Sequence, residues 1–242
     1  MLLRALRAEI VKCRRAPVWL AFVALPIFPA ILGTMNYLSN LAVLKKGWYS
    51  LWGQHTLFSS MFFLPALLGV FCARQWRLEH TDHNWNRFLT VPIPLKDLYA
   101  AKLILATGVS ALAQLCIGVL FYLSGRLAGL TEPLPPQLAE WLLWGALGSV
   151  PICAAQLLFS LAIRAFAPPV VLGLMGGVLG LLLMAKGFGY AFPYSLLCLG
   201  MRANNPQMAL EPLPFLLSAA GYTAVFSALT LWRLGCGEVK SE

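Results

Sequence analysis

The sequence holds three histidines and nine acidic residues, and their spacing decides which chemistries are open to it. His80 and His83 stand at i and i+3, with Glu79 and Asp82 beside them, a spacing that puts two imidazoles on one helical face where a metal ion could be held. No further His or Cys pair is placed to complete a closed shell, so solvated side chains are the simpler reading and no metal is expected. His55, His80 and His83 fall in expected loops and every acid lies outside the long apolar stretches. An intramembrane nucleophile with its base, or a pair of carboxylates at membrane depth, is therefore missing. The apolar stretches offer only Asn36, Gln114, Gln156 and scattered hydroxyls, which leaves an ion-driven pump without a titratable midplane site. No G-x-x-x-x-G-K-[ST] loop is present to cradle nucleotide phosphates. The chain is thus expected to carry no catalytic residue and no cofactor of its own, and energy for any transport must come from a separate ATPase chain that binds ATP and Mg.

The elements that would position these residues are set by composition. Of 242 residues 60% are hydrophobic and 11% charged, and mean hydropathy is +0.75, whereas soluble domains carry about a quarter charged residues. The apolar residues come in blocks near the roughly 20 residues that a helix needs to cross a hydrocarbon core. Six spans are expected, at about 17–37, 56–73, 103–123, 141–163, 169–185 and 213–231, in an all-α integral membrane protein of one domain, residues 1–242. Trp19, Trp48, Trp52, Trp141, Trp144, Tyr222 and Trp232 lie near span ends, where amphipathic rings sit at a membrane interface. The six cysteines form no CxxC pair and read as reduced packing residues. In the fifth span Gly173 with Gly177 and Gly176 with Gly180 make small-x-x-x-small pairs that permit close helix packing.

The net charge of +9 would raise nucleic acid as a partner in a soluble protein, but here the Lys and Arg residues sit in short loops beside apolar blocks and read as topology signals. Of 18 Lys and Arg residues only Lys45, Lys46, Arg126, Lys186 and Arg202 fall opposite the segment set that begins with the N-terminus. That bias puts both termini in the cytoplasm. Residues 1–16 gather Leu2, Leu3, Leu6, Ile10 and Cys13 on one helical arc and Arg4, Arg7, Lys12, Arg14 and Arg15 on another, the pattern of an interfacial helix on membrane lipid; a basic tail that only sets orientation is the alternative. Two connections are long, a cytoplasmic one over 74–98 and an external one over 186–212. The external one contains the apolar stretch 188–201 broken at Pro193, too short to cross twice, and is expected to form a re-entrant or surface-lying pair of short helices.

In the cytoplasmic connection, RQWRLEHTDHNWNRFL (74–89) places Leu78, Thr81, Trp85, Phe88 and Leu89 on one helical face and His80, His83, Asn84 and Arg87 on the other. The helix must stop near Val91, because Pro92 and Pro94 remove donors and restrict the residues before them. A new helix is expected from about Leu95 through Lys102 into the third span. Such a helix is a mechanical handle on two spans, or else a helix resting on the lipid surface.

This order of elements, with Glu79, Asn84-Trp85, Pro92-x-Pro94, Tyr99-x-x-Lys102 and the external Phe192-Pro193-Tyr194, resembles type-2 ABC exporter permeases. More narrowly, it is similar to the small permeases of lantibiotic-immunity and bacitracin-resistance ABC transporters. The resemblance covers nearly the whole chain. It implies a bacterial plasma-membrane permease that pairs with a second permease, often non-identical, and with two copies of an ABC ATPase subunit. It also implies that the segment between spans two and three docks in the ATPase as a coupling helix, with Trp85 and Phe88 as anchors and Glu79 and Arg87 in polar contacts, and that the substrate is an amphipathic antimicrobial peptide. Asn36, Gln114 and Gln156 are candidate points on its path, or polar ties between helices. Two rivals stay open: a non-transporting membrane assembly or sensor component, and a lipid-modifying membrane enzyme drawing on Glu132, Glu140 and Glu211.

Overall fold

A computed structural model describes residues 1–14, 18–80 and 94–236, and among them it contains helices and no strand. The helices are α1 (Leu2–Arg14), α2 (Val18–Ser39), α3 (Trp48–His80), α4 (Leu95–Leu127), α5 (Leu138–Ala162), α6 (Ala167–Ala185), α7 (Ser195–Gly200) and α8 (Pro212–Gly235). Five of them, α3, α4, α5, α6 and α8, are long and apolar enough to cross a membrane. α2 is a 22-residue apolar helix with Pro26 and Pro29 in its interior.

The helical edges fall close to the sequence expectation, the start of α4 at Leu95 included, and the exception is the start of α3; α3 and α4 are each 33 residues long. α3 begins eight residues before the expected span, which moves His55 from a loop into the helix; His80, the last residue described before 81–93, is likewise helical. Midway, Ser59–Phe63 is π-helical. The cause is local: Pro65 has no N–H to bond the Met61 carbonyl four residues back, so the helix widens by a residue there. That widened stretch is where α6 comes closest, since a Cβ on Gly177 would lie 2.3 Å from the Met61 carbonyl oxygen and one on Gly173 2.7 Å from that of Pro65. On the other face of α6, Gly176 and Gly180 lie against Tyr194. The two glycine pairs therefore serve two different contacts.

Trp48, Trp52 and Trp141, near the ends of their helices, are buried inside the bundle. They cluster with Phe121 of α4 at the end of the bundle opposite α1, Trp48 and Trp52 edge-on to Phe121 at 5.1 and 5.0 Å and Trp141 stacked on Trp52 at 5.3 Å. Each indole of the α3 pair finds a carbonyl, Trp48 Nε1 donating to Glu132 (3.0 Å) and Trp52 Nε1 to Met201 (2.8 Å). Trp232, by contrast, is exposed as expected. In the 186–212 connection a 3₁₀ turn at Gly189–Ala191 precedes α7, all six residues of which are buried. Its start is held at Ser195, whose hydroxyl donates to the Gly180 carbonyl of α6 (2.8 Å).

Candidate functional site

Between the end of α3 and the start of α4, three helices converge on a group of charges. Gln75 and Glu79 are one turn apart on α3 and so share a face. Lys102 enters from α4, and α1 contributes Glu9 and Lys12. Lys102 Nζ donates to Glu9 Oε2 (2.9 Å), Glu79 Oε1 (2.9 Å) and the Gln75 carbonyl (2.8 Å), which uses all three ammonium protons. Lys12 Nζ closes the circuit through Glu9 Oε1 (2.6 Å) and Glu79 Oε1 (2.8 Å). The result is a ring of alternating sign, Lys102, Glu9, Lys12, Glu79, with no net charge.

Three of the four side chains are sealed, Lys102 at 0% and Glu9 and Glu79 at 3% exposure, while Lys12 forms the rim at 32%. Desolvating one ammonium costs several kcal/mol, so such a lysine is tolerated only with near-complete pairing. Two more contacts complete it: the Lys102 ammonium lies 4.8 Å from the centre of the Trp76 ring, a cation–π arrangement, and Gln75 Nε2 donates back to the Lys102 carbonyl (3.4 Å). Burial alone would push the Glu9 carboxyl up, but Lys102 and Lys12 outweigh it and hold the group below its ordinary value. Burial would likewise lower Lys12, and Glu79 and Glu9 outweigh it, so its ammonium is held above the usual value. Glu9 and Lys12 are therefore both charged over the neutral pH range.

The α1 backbone is oriented by the same contacts. Ala5, Glu9 and Cys13 are its buried residues, Leu3 and Ile10 are exposed apolar ones, and Arg4, Arg7 and Arg14 are exposed. The helix therefore has one face against the bundle and an outer face on which apolar residues (Leu3, Ile10, Val11) and arginines intermingle. Met1, just before the helix, joins α4 as well, its ammonium 3.8 Å from Asp97 Oδ2.

Residues 5–180 match the family model described as ABC-2 family transporter protein, well over half of the 242-residue chain. The chain belongs to the ABC-2 transporter family. It is a multi-pass membrane permease subunit of an ABC transporter, a transport subunit that associates with an ABC ATPase and is not itself catalytic. No curated protein matches it.

In this ABC-2 permease the residues singled out by the sequence are dispersed. Thr81, Asn84, Trp85, Arg87, Phe88, Leu89 and Pro92, with His83, lie outside the described residues. Leu78 is half-buried at the end of α3, and Glu79 turns into the bundle in the ring above instead of presenting its carboxylate outward. Pro94 is the N-cap of α4, its carbonyl accepting from the Asp97 N–H (2.8 Å). Tyr99 is buried and its hydroxyl pairs with Ser227 of α8 (2.8 Å). Lys102, expected only as the entry to a span, is the hub of the charge ring.

Asn36, Gln114 and Gln156 do not come together. Asn36 Nδ2 donates to Gln54 Oε1 and accepts at Oδ1 from Asn40 (2.9 Å), close to the opposite end of the bundle. Gln156 is fully buried, and in the amide orientation its neighbours require it donates to the Pro169 carbonyl (3.0 Å) and accepts from the Tyr194 hydroxyl (2.8 Å) and the Gly173 N–H (3.0 Å). It is a tie between α5, α6 and the residue preceding α7. Gln114 is buried with neither amide atom hydrogen-bonded.

Glu9 was not singled out by the sequence reading, and Lys12 only as one of several basic residues. A signal for Glu9 exists: at 100° per residue it falls among Ala5, Leu2 and Cys13 on the apolar side of α1, and it is the one acid in Leu2–Arg14. A lone carboxylate inside an apolar stripe demands a buried partner.

Proposed function

We propose that this permease is the membrane-spanning half of an ATP-driven exporter that expels an amphipathic antimicrobial peptide, in the manner of lantibiotic immunity or resistance. It works in a bacterial plasma membrane with both termini in the cytoplasm. α2 is the sixth span in this reading, α1 lies along the inner interface, and the 74–98 connection meets the ATPase through residues 81–93. Two ATPase copies supply ATP and Mg, and a second, non-identical permease completes the pathway.

The observation that carries this reading is the pair of helices around residues 81–93. α3 runs unbroken from the apolar interior to His80, and α4 restarts at Leu95 and runs unbroken back. A force on the short segment between them acts on two membrane-length levers at once. A greasy substrate is further supported by a cleft of about 360 Å³ between α2 and α4, lined by residues that include Ile27, Ile31, Thr34, Met35 and Leu123 and almost wholly apolar.

Co-purification of the tagged chain from native membranes, with partners identified by mass spectrometry, tests the assembly. An ATPase with a nucleotide-binding loop should be recovered, and Trp85→Ala should keep the permease inserted while abolishing peptide resistance. A chain that purifies without any ATPase, or a Trp85→Ala variant with unchanged resistance to lantibiotics and bacitracin, overturns the respective half of the proposal.

A further inference from the structure

The charge ring has no counterpart in what a permease needs in order to fold. Replacing buried ion pairs by apolar residues of similar volume is commonly neutral or stabilising, whereas removing one partner is strongly destabilising. What a ring of directional contacts provides is register: Lys102 satisfies its three protons only when Glu9 of α1, Glu79 of α3 and the Gln75 carbonyl of α3 are all in place. Those partners belong to three different helices counting its own, and two of the helices are the legs of the 81–93 segment.

We propose that Lys102 is a positioning residue that locks α1 and the two legs of the coupling segment into one rigid body, so that α3, α4 and α1 move together when the ATPase pushes on the segment. This rests on the reading of residues 81–93 as the ATPase contact. Three details of the site support it. The Gln75 and Lys102 contacts are reciprocal, each side chain meeting the other's main-chain carbonyl, so the backbones themselves are tied. Lys12 bridges the two carboxylates from the rim, so α1 is held through Glu9 and through Glu79 at once. Moreover α1, the third member, carries an exposed apolar pair, Leu3 and Ile10, and exposed arginines, so whatever surface it lies on is carried along with the levers. Apart from the ring, α1 meets α4 through Ala5 and Cys13, which are small, and through the 3.8 Å ion pair of the N-terminal ammonium with Asp97, none of which ties it to α3.

The experiment separates position from stability. Spin labels at Ala8 of α1 and Leu115 of α4, both exposed, report the distance between those helices in the assembled complex in nanodiscs, nucleotide-free and after vanadate trapping with ATP. The parent should give one narrow distance, the same in both states. Lys102→Met should lose thermal stability and give a broad distribution. The variant Glu9→Gln/Glu79→Gln/Lys102→Met carries no uncompensated carboxylate, so it should recover most of the lost stability and yet keep the broad distribution. If this triple variant returns to the narrow parental distance in both states, the ring only stabilises and the proposal fails. A parent whose distance shifts on trapping also overturns it. If the parent chain brings down no ATPase, the coupling reading itself fails and the proposal falls with it, an outcome visible before any variant is made.

Discussion

At one end of the bundle α3 and α4 are joined by Lys102, Glu79 and Gln75, with α1 added through Glu9 and Lys12; at the other the same two helices are joined by Trp48, Trp52 and Phe121, with α5 added through Trp141. The partners are the same, and the chemistry is opposite. An aromatic cluster is held by area and shape, is nearly indifferent to small rotations, and loses stability gradually as atoms are removed. A ring of four charges, three of them sealed, is tolerated only in one arrangement, and removal of a sealed member exposes the others to the cost of burial. An end that must keep several helices in register under load is better served by the second kind of contact, and an end that closes the bundle is well served by the first.

The largest test of this contrast is Lys102→Met, which should destabilise the permease by about 3–5 kcal/mol, as breaking a buried pair does, measured by denaturant titration in detergent. A loss below that of Trp52→Ala would reverse the proposed ranking of the two ends. Trp52→Ala should cost roughly 3 kcal/mol through the cavity it leaves, and Trp52→Phe only about 1–2, chiefly the lost hydrogen bond to the Met201 carbonyl; equal losses for the two would show that the cluster is as exacting as the ring. Titration offers a smaller effect that only one end can show. Because Glu9 is held low, its contribution is complete above its ordinary value of 4.5 and is lost as pH falls through the lower native value. Lys12, held high, contributes fully below 10.5 and loses its contribution only as pH rises beyond that. Release of α1, followed by proteolysis within residues 1–14, should therefore appear in acid below pH 4.5, while the environment of Trp52 should not change with it. The smallest effect is expected at the rim, where Lys12→Met should cost roughly 1 kcal/mol because the residue is partly hydrated; a loss equal to that of Lys102→Met would mean that the ring has no rim.

How much of this was legible in advance differs by residue. The apolar blocks and the restart at Leu95 were readable because hydropathy and proline act locally: a helix of about 20 apolar residues has no soluble alternative, and Pro94 leaves no room to start the helix earlier. Nothing in the sequence showed that Trp48, Trp52 and Trp141 turn inward, because position along a span says nothing about which neighbour a ring faces; here Trp48 and Trp52 meet Phe121, and Trp141 stacks on Trp52. Asn36, Gln114 and Gln156 were correctly the polar exceptions in apolar helices, but nothing in their spacing distinguished the shallow Asn36 from the sealed Gln156.

The sequence by itself determined that the chain is helical, that its helices are made for a bilayer, and where most of them start and stop, because those properties depend on the residues within each block and on the solvent around it. The tertiary structure alone decided what the isolated charges are for. Glu9, Lys12, Glu79 and Lys102 lie on three separately expected helices, and nothing in their sequence spacing says which of them is another's partner. Only the packing of α1 against α4 and α3 brings opposite signs within 3 Å of one another, and a buried ionic contact, unlike hydropathy, exists only between partners that the fold has already brought together.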